Sequence, residues 1–249
     1  MRIALTLTCC AAVAIASVPA AKAADLALVL AVDVSESVSA DRYLLQHDGI
    51  ARAFEDPQLI QAIGNAPGGI EVLLLEWSDP DKIAITIGWT RVANRSSAAA
   101  FAAAVRATTR TSHGLTAIGA AMRAGAAAFD HMPEPAVHKV IDVSGDGMAN
   151  FGPSPAQVRD ELVAQGITIN GLAILTEEPW LAEYYSSNVI GGASSFCLVA
   201  ENMNSFAEAM LRKLVQEVAG APPRYAERGR FGSPALPRQR GRVYSGQMQ

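Results

Sequence analysis

Cysteine is scarce in this chain of 249 residues, which contains three. Cys9 and Cys10 lie together in an apolar run near the N-terminus, so Cys197 is the single cysteine of the remaining chain. A lone thiol forms no internal disulfide. Because Cys197 lies in the apolar stretch SFCLVA, which is typical of a buried strand, we expect an inert core thiol and not a reactive or intermolecular one.

The sequence also lacks the short motifs of several enzyme classes. It contains no G-x-S-x-G element, which excludes the nucleophile elbow of the α/β-hydrolases. It contains no P-loop, and no G-x-G-x-x-G follows the first predicted strand. These absences argue against P-loop nucleotide chemistry and against a dinucleotide-binding enzyme.

Charged residues make up only 18% of the chain, and their distribution is uneven. The net charge is −4, of which the first 23 residues contribute +2 and residues 221–249 contribute +5, so residues 24–220 carry −11. An acidic body favours cation binding and disfavours a nucleic-acid surface. The basic tail is rich in Pro, Gly and Arg without an apolar periodicity, so we expect residues 221–249 to be disordered.

The first 23 residues have the organisation of an export signal. Arg2 precedes the apolar run IALTLTCCAAVAIASV, and small residues follow at Ala21 and Ala23. A membrane anchor is the alternative, but the run is short for a transmembrane helix and is followed by Pro19. We therefore expect cleavage before Ala24, a periplasmic or secreted protein, and no stable membrane insertion.

Apolar runs and helical patterns alternate from residue 24 to residue 220. Asp25–Val32 is a continuous apolar run, typical of a strand covered on both faces. IEVLLLEWSD and KIAITIGWTRV, joined by a tight turn, predict a hairpin. This order predicts one α/β domain: a doubly wound, mostly parallel six-stranded sheet with one antiparallel edge strand and helices on both faces. In such a sheet, ligands bind beyond the carboxyl ends of the strands, near the switch in strand order.

Two polar residues fall within apolar patterns. His47 shares one face of the first predicted helix with Tyr43, Ile50 and Phe54, which indicates a packed core histidine. Glu76 lies in a predicted buried strand, where a carboxylate needs a polar pocket or an arginine partner.

Three predicted loops at the carboxyl edge carry oxygen-bearing side chains. Asp33, Ser35 and Ser37 follow the first strand, Thr116 lies at the start of an Ala-rich helix, and Asp146 follows the fourth strand. None of the five offers sulfur or nitrogen, and a hard cation such as Mg²⁺ takes about six oxygens. Two carboxylates and three hydroxyls would leave the cation with an open coordination position and part of its positive charge. An acidic group of a partner would occupy the position and balance the charge. The simpler alternative is that Asp and Ser after a strand only start a helix.

The segment DVSES (Asp33–Ser37) resembles the D-x-S-x-S motif of the von Willebrand factor A domain. GLTAIGAAM resembles the threonine loop of that family, VIDVSGDG its hydroxyl-Asp-Gly strand end, and LLLEWSDPDKIAITIGWT its hairpin. The similarity covers roughly residues 25–220, and the segments follow in the same order. More narrowly, the chain resembles the exported bacterial subgroup of unknown function.

The resemblance implies a metal-ion-dependent adhesion site that binds a protein partner. Ser35 and Ser37 would bind the cation directly, Thr116 directly or through water, and Asp33 and Asp146 mainly through water while orienting the hydroxyls. A Glu or Asp carboxylate of the partner would complete the shell. The implied cation is Mg²⁺, with Mn²⁺ or Ca²⁺ as alternatives, and the implied protein is a binding module and not an enzyme. A hydrolase that uses the same metal edge and a metal-free structural module are the two alternatives.

One position departs from the family pattern. A hydroxyl residue usually precedes the Asp-Gly pair directly, whereas here Gly145 separates Ser144 from Asp146. The additional residue leaves two alternatives open: that it redirects Asp146, and that Asp142 or Ser144 helps to form the site. We retain Asp146 because it precedes Gly147 at the turn, where a side chain reaches the edge of the sheet.

Overall fold

The computed structural model describes residues 23–66, 68–176 and 178–220. The predicted export signal, apart from Ala23, and the predicted disordered tail lie outside the described residues. Statements about those two segments therefore stay predictions. Within the described ranges, no helix is long and apolar enough to cross a bilayer.

Six strands of the described chain form one sheet. They are β1 (Ala24–Asp33), β2 (Ile70–Trp77), β3 (Ile83–Val92), β4 (Ala136–Gly145), β5 (Ile167–Ile174) and β6 (Cys197–Ala200). Their order across the sheet is β3-β2-β1-β4-β5-β6, and all neighbours are parallel except β2 and β3, which form an antiparallel hairpin at one edge. This arrangement confirms the predicted fold class, and β1 lies at the centre, where the strand order switches.

Helices cover both faces of the sheet. They are α1 (Ala40–Glu55), α2 (Pro57–Asn65), α3 (Arg95–Ala107), α4 (Ile118–Ala128), α5 (Pro155–Val163), α6 (Leu181–Asn188) and α7 (Phe206–Gly220). Helix α2 is not predicted from the sequence. This helix forms because Pro is well tolerated in a first turn, and because the Asp56 side chain accepts a hydrogen bond from the backbone N–H of Gln58 at 2.7 Å.

Strand β1 is buried over its whole length and separates two apolar cores. Leu28 and Leu30 belong to the core formed with α1, α2, α3 and α7, whereas Val29 and Ala31 belong to the core formed with α4, α5 and α6. Alternate residues of a strand face opposite sides, so a continuous apolar run suits a strand between two helical layers. Fully burying one Leu or Val side chain stabilises a fold by about 1.5–3 kcal/mol, and this burial holds the end of β1 in place.

The core beneath α7 contains a group of buried charges. Lys213 is fully buried, and its Nζ lies 2.7 Å from Asp142 Oδ1 on β4 and 2.6 Å from Glu217 Oε1. Asn170 of β5 also donates a hydrogen bond to Glu217 Oε1 at 2.9 Å. Burial raises the pKa of Asp142. Burial also opposes the charge of Lys213, but the two carboxylates raise its pKa. These charges connect α7 to the centre of the sheet.

The thiol of Cys197 lies at the start of β6 and is free and partly buried. Its Sγ lies 3.4 Å from the carbonyl oxygen of Leu198. Burial raises the pKa of the Cys197 thiol to about 11. A thiol with so high a pKa is protonated at neutral pH, which agrees with the expected unreactive cysteine.

Candidate metal centre

The first loop of the site is shaped by the end of β1. Asp33 is fully buried, and its Oδ1 accepts a hydrogen bond from the backbone N–H of Ser35 at 2.7 Å. Aspartate favours this kind of turn because its side chain bonds the backbone two residues on. The turn leaves the hydroxyl oxygens of Ser35 and Ser37 3.2 Å apart. One carboxylate and two hydroxyls therefore lie close together directly after the strand.

The loops before α4 and after β4 meet this first loop. Ser37 Oγ donates a hydrogen bond to Asp146 Oδ1 at 2.6 Å. A Cβ built on Gly147 would lie 3.9 Å from Thr116 Oγ1, so Thr116 lies directly beside the turn that follows Asp146. Two hydrogen bonds hold these loops together, because Thr116 N donates to Asn150 Oδ1 at 2.8 Å and Asn150 N donates to Thr116 O at 3.1 Å.

Side chains from all three predicted loops thus lie at one place in the structure. Four of the five, Asp33, Ser35, Thr116 and Asp146, are buried, and Ser37 is exposed. Burial of polar groups in loops is costly unless they find partners. Four of these side chains are therefore enclosed by the fold, and only Ser37 has the exposure of an ordinary turn residue.

The additional residue Gly145 does not direct Asp146 away from the site, since Asp146 contacts the first loop. The alternative residues lie elsewhere. Asp142 pairs with Lys213 beneath α7. Ser144 is two residues from Asp142 on β4 and therefore faces the same side of the sheet. Strand β4 extends through Gly145, so Asp142 and Ser144 face the core beneath α7, whereas Asp146 lies next to the first loop.

The two carboxylates of the site have different surroundings. Burial raises the pKa of Asp33 to about 7, against the effect of its hydrogen bonds with Ser35. Its Oδ2 is buried and has no hydrogen-bond partner among the described residues. Asp146 lies beside Arg42 of α1, whose Nη1 is 3.4 Å from Asp146 Oδ2 and donates to Ser37 O at 2.9 Å. An unsatisfied buried acceptor costs about 1–3 kcal/mol, which a cation or a donor next to Asp33 would relieve.

A second arginine holds the backbone of the first loop. The Arg110 guanidinium donates hydrogen bonds of 2.6–2.8 Å to three carbonyl oxygens, those of Val34, Ser35 and Val38. The planar guanidinium suits this role because its donors are fixed in a fork. Arg110 and Arg42 could not be identified from the sequence, because neither belongs to a motif and their contacts are formed only by the tertiary structure.

Glu76, fully buried at the end of β2, holds the segment that carries Arg110. Its Oε2 accepts hydrogen bonds from the backbone N–H and the hydroxyl of Thr111, at 2.9 and 2.8 Å. Its Oε1 accepts one from the Tyr43 hydroxyl at 2.8 Å and lies 3.1 Å from His47 Nε2. Burial opposes ionisation, but these hydrogen bonds keep the pKa of Glu76 below its usual range. The partners of this buried carboxylate are thus a core histidine, a tyrosine and a threonine, and not an arginine.

Tyr185 of α6 is a further residue that the sequence analysis does not identify. It is fully buried, and its hydroxyl has no hydrogen-bond partner within the described ranges. A Cβ built on Gly145 would lie 2.8 Å from Asp33 Oδ2 and 2.9 Å from Tyr185 Oη, so both atoms face the bare backbone of Gly145. Burial, and next the negative charge of Asp33, raises the pKa of Tyr185 well above its usual value. Tyr185 is therefore a neutral hydroxyl close to the buried carboxylate.

The donors of this cluster fit a hard divalent cation. All five side chains offer oxygen, the ligand that Mg²⁺, Mn²⁺ and Ca²⁺ prefer. In the part of the chain that the structure describes, no group of three or more His, Cys, Asp and Glu side chains is placed to hold a metal ion. The unsatisfied Asp33 Oδ2 is the atom of the cluster that most needs a positive charge or a donor.

The strand order and the antiparallel edge hairpin belong to the fold of a von Willebrand factor A domain. The vWF domain of the type V pili tip protein Mfa5 from Porphyromonas gingivalis has this fold, with a TM-score of 0.57 and 11% identity over 85% of this chain and 99% of that one. The chain belongs to the family described as "Protein of unknown function (DUF1194)", whose model matches residues 23–222. No curated protein sequence matches the chain.

Two further structures share the fold but are much longer than this chain. Proximal thread matrix protein 1 (PTMP1) from the mussel byssus has a TM-score of 0.58 and 16% identity over 78% of this chain. Its metal-ion-dependent adhesion site (MIDAS) motif is occupied by zinc. The pilus adhesin SpaC from Lactobacillus rhamnosus GG has a TM-score of 0.57 and 16% identity over 78% of this chain. The matched regions span 46% of the byssus protein and 30% of the adhesin. At these identities the comparison shows the fold alone.

Proposed function

We propose that this protein is a binding module that holds a divalent cation at the carboxyl edge of its sheet and uses it to bind an acidic side chain of a protein partner. The observation that carries the proposal is the cluster of two carboxylates and three hydroxyls drawn from three loops. Ser35 and Ser37 would bind the cation directly, Thr116 directly or through water, and Asp33 and Asp146 mainly through water. Mg²⁺ is the proposed cation, and Mn²⁺ and Ca²⁺ are the alternatives.

The charges around the cluster favour an acidic ligand. Hydroxyls bring no charge, so a divalent ion held mainly by Ser35 and Ser37 keeps much of its positive charge and an open position. Arg42 adds a second positive group at the rim, with a side chain that is 25% exposed. A carboxylate that binds the cation through one oxygen can therefore meet the guanidinium of Arg42 with the other, as Arg and carboxylates pair well.

Several exposed apolar side chains are close in sequence to the segments that form the site. Of the seven large hydrophobic residues that the described chain exposes, five lie in or beside the segments that form the site, with exposed fractions of 41–63%. Two are near the start of α1, one precedes Thr116, one follows Asn150 and one precedes α6: Leu44, Leu45, Leu115, Phe151 and Trp180. Exposed apolar surface next to a site is typical of protein interaction sites, and on that basis we favour a protein partner over a free carboxylic acid.

The similar structures support this proposal without deciding it. One is a matrix protein with a zinc-occupied MIDAS motif, one is a pilus adhesin and one is a pili tip protein. Such proteins act outside the cytoplasm, in keeping with the export signal predicted for residues 1–23. We therefore propose a periplasmic or secreted binding protein without catalytic activity.

Isothermal titration with Mg²⁺ and Mn²⁺ tests the metal site in the full chain. We expect wild type to bind one ion, Asp33→Ala to lose binding, and Asp41→Ala, which removes an exposed carboxylate near the start of α1, to bind like wild type. Thermal unfolding in EDTA checks that Asp33→Ala still folds. Divalent-ion binding that persists in Asp33→Ala would contradict the proposal.

Affinity capture from the exported fraction then tests the partner. A true partner is retained by wild type with Mg²⁺, is released by EDTA and is not retained by Asp33→Ala. Assays with ester and phosphate substrates in Mg²⁺ run in parallel. Turnover that Asp33→Ala abolishes would favour a metal-dependent hydrolase over the binding module.

A further inference from the structure

We propose that Tyr185 is a positioning residue of the metal centre, whose hydroxyl supplies the hydrogen bond that Asp33 Oδ2 lacks. The inference rests on the proposed function, because metal affinity is the property that this bond would change. It adds to the site a residue from α6, an element that contributes none of the five oxygen donors described above.

The geometry brings two unsatisfied buried groups to one place. Asp33 Oδ2 and Tyr185 Oη each lie within 3 Å of the position that a Cβ of Gly145 would occupy, and neither has a hydrogen-bond partner among the described residues. Buried polar groups are nearly always satisfied in folded proteins. Two unsatisfied groups beside the same glycine indicate a link between them, made through a water held over Gly145 or by a small shift that brings the two oxygens into direct contact.

The chemistry of the two groups is complementary. Tyr185 is a neutral phenol and can donate, while Asp33 offers an acceptor that its other bond leaves unused. Oδ1 is already held by the backbone N–H of Ser35. A bond from Tyr185 to Oδ2 would fix both oxygens, and the carboxylate could then no longer rotate away from the hydroxyls and waters that it orients around the cation.

The surroundings of Tyr185 keep its hydroxyl in place. Its ring lies against the backbone of Gly171 on β5, so closely that a Cβ on Gly171 would be 2.7 Å from Tyr185 Cδ1. Gly145 leaves the other side open, since any side chain there would meet both oxygens. Gly145 and Tyr185 therefore act together. Gly145, where the chain departs from the family pattern, leaves the space that the Tyr185 hydroxyl needs beside Asp33.

Tyr185→Phe removes only the hydroxyl and tests the proposal. Changes to partners of metal-binding groups typically cost about 10–100-fold in metal affinity, so we expect the dissociation constant for Mn²⁺ to rise at least about tenfold in isothermal titration. The variant should lose stability to urea in EDTA, because Asp33 Oδ2 is left unsatisfied, and should lose more with saturating Mg²⁺, because weaker metal binding adds to the loss. Ser186→Ala is the control on the same helix: its hydroxyl donates a hydrogen bond to Ala182 O at 2.9 Å and contacts no loop of the site, and we expect an affinity near that of wild type.

The outcomes separate this inference from the proposed function. Wild-type affinity in Tyr185→Phe, with binding lost in Asp33→Ala, would overturn the role of Tyr185 and leave the metal site standing. An equal loss of stability with EDTA and with saturating Mg²⁺ would make Tyr185 a packing residue and would also overturn the inference. If wild type itself binds neither Mg²⁺ nor Mn²⁺, the proposed function fails, and the role of Tyr185 fails with it.

Discussion

Replacing Lys213 with methionine tests whether one lysine balances the buried charges beneath α7. Its Nζ lies 2.7 Å from Asp142 and 2.6 Å from Glu217, and the lysine is fully buried. Methionine is similar in length and apolar, so the change removes the charge and leaves most of the packing. Breaking a buried ion pair by removing one partner costs about 3–5 kcal/mol, and we expect a loss of unfolding free energy in this range at pH 7.

The loss should shrink as the pH falls. Burial raises the pKa of Asp142, and the charge of Lys213 opposes this rise, so the pKa is higher still in Lys213→Met. A carboxyl group whose pKa is raised by folding stabilises the folded state less as pH increases above its unfolded pKa, because the folded chain then holds a proton that the unfolded chain has released. One proton taken up over two pH units changes the free energy by up to about 2.7 kcal/mol. Wild type gains most of this as well, because the pKa of Asp142 is already about 7, so the loss should shrink by less than about 1 kcal/mol between pH 7 and pH 5.

Urea unfolding followed by circular dichroism at pH 5, 6 and 7 in EDTA measures these differences. The control is Lys139→Met, which removes a lysine whose Nζ lies 5.5 Å from the Phe129 ring and for which we expect a loss of only about 0.5–1 kcal/mol. If Lys213→Met does not fold, the charge-free variant with Asp142→Asn, Lys213→Met and Glu217→Gln should fold again. A loss below about 1 kcal/mol at pH 7, the size of an exposed pair, or a loss that grows as the pH falls to 5, would refute the reasoning.

Two further substitutions test contacts around the site. Gly145→Ala would place a Cβ 2.8 Å from Asp33 Oδ2 and 2.9 Å from Tyr185 Oη, so we expect weaker Mn²⁺ binding and a loss of about 1–3 kcal/mol in urea unfolding. Gly88→Ala, where a Cβ meets nothing within 4 Å, is its control, and equal results for both would contradict the account of Gly145. Arg110→Lys removes the fork that binds three carbonyl groups, so we expect faster amide exchange in the first loop and weaker Mn²⁺ binding; unchanged exchange would show that the loop holds its shape without this fork.

Much of the fold could be predicted because its signals are local. A strand between two helical layers needs apolar residues on both faces, and the run that ends at Asp33 has them. The site loops could be predicted for the same reason, since parallel strands end at one edge and the residues that follow them must lie there. The helix that begins at Pro57 was not predicted, because a proline can mark the end of one helix or the first turn of the next.

The sequence by itself determined the class of sheet and the oxygen-bearing loops at its carboxyl edge, because hydrophobic periodicity and residues that follow a strand are properties of neighbours in the chain. Only the tertiary structure decided that Asp146 and not Asp142 reaches the site, that Glu76 pairs with His47, and that Tyr185 faces Asp33. These contacts join residues 29 to 152 positions apart along the chain. They depend on strand order, on the residue at which β4 ends and on where each helix packs, and no local spacing encodes any of these.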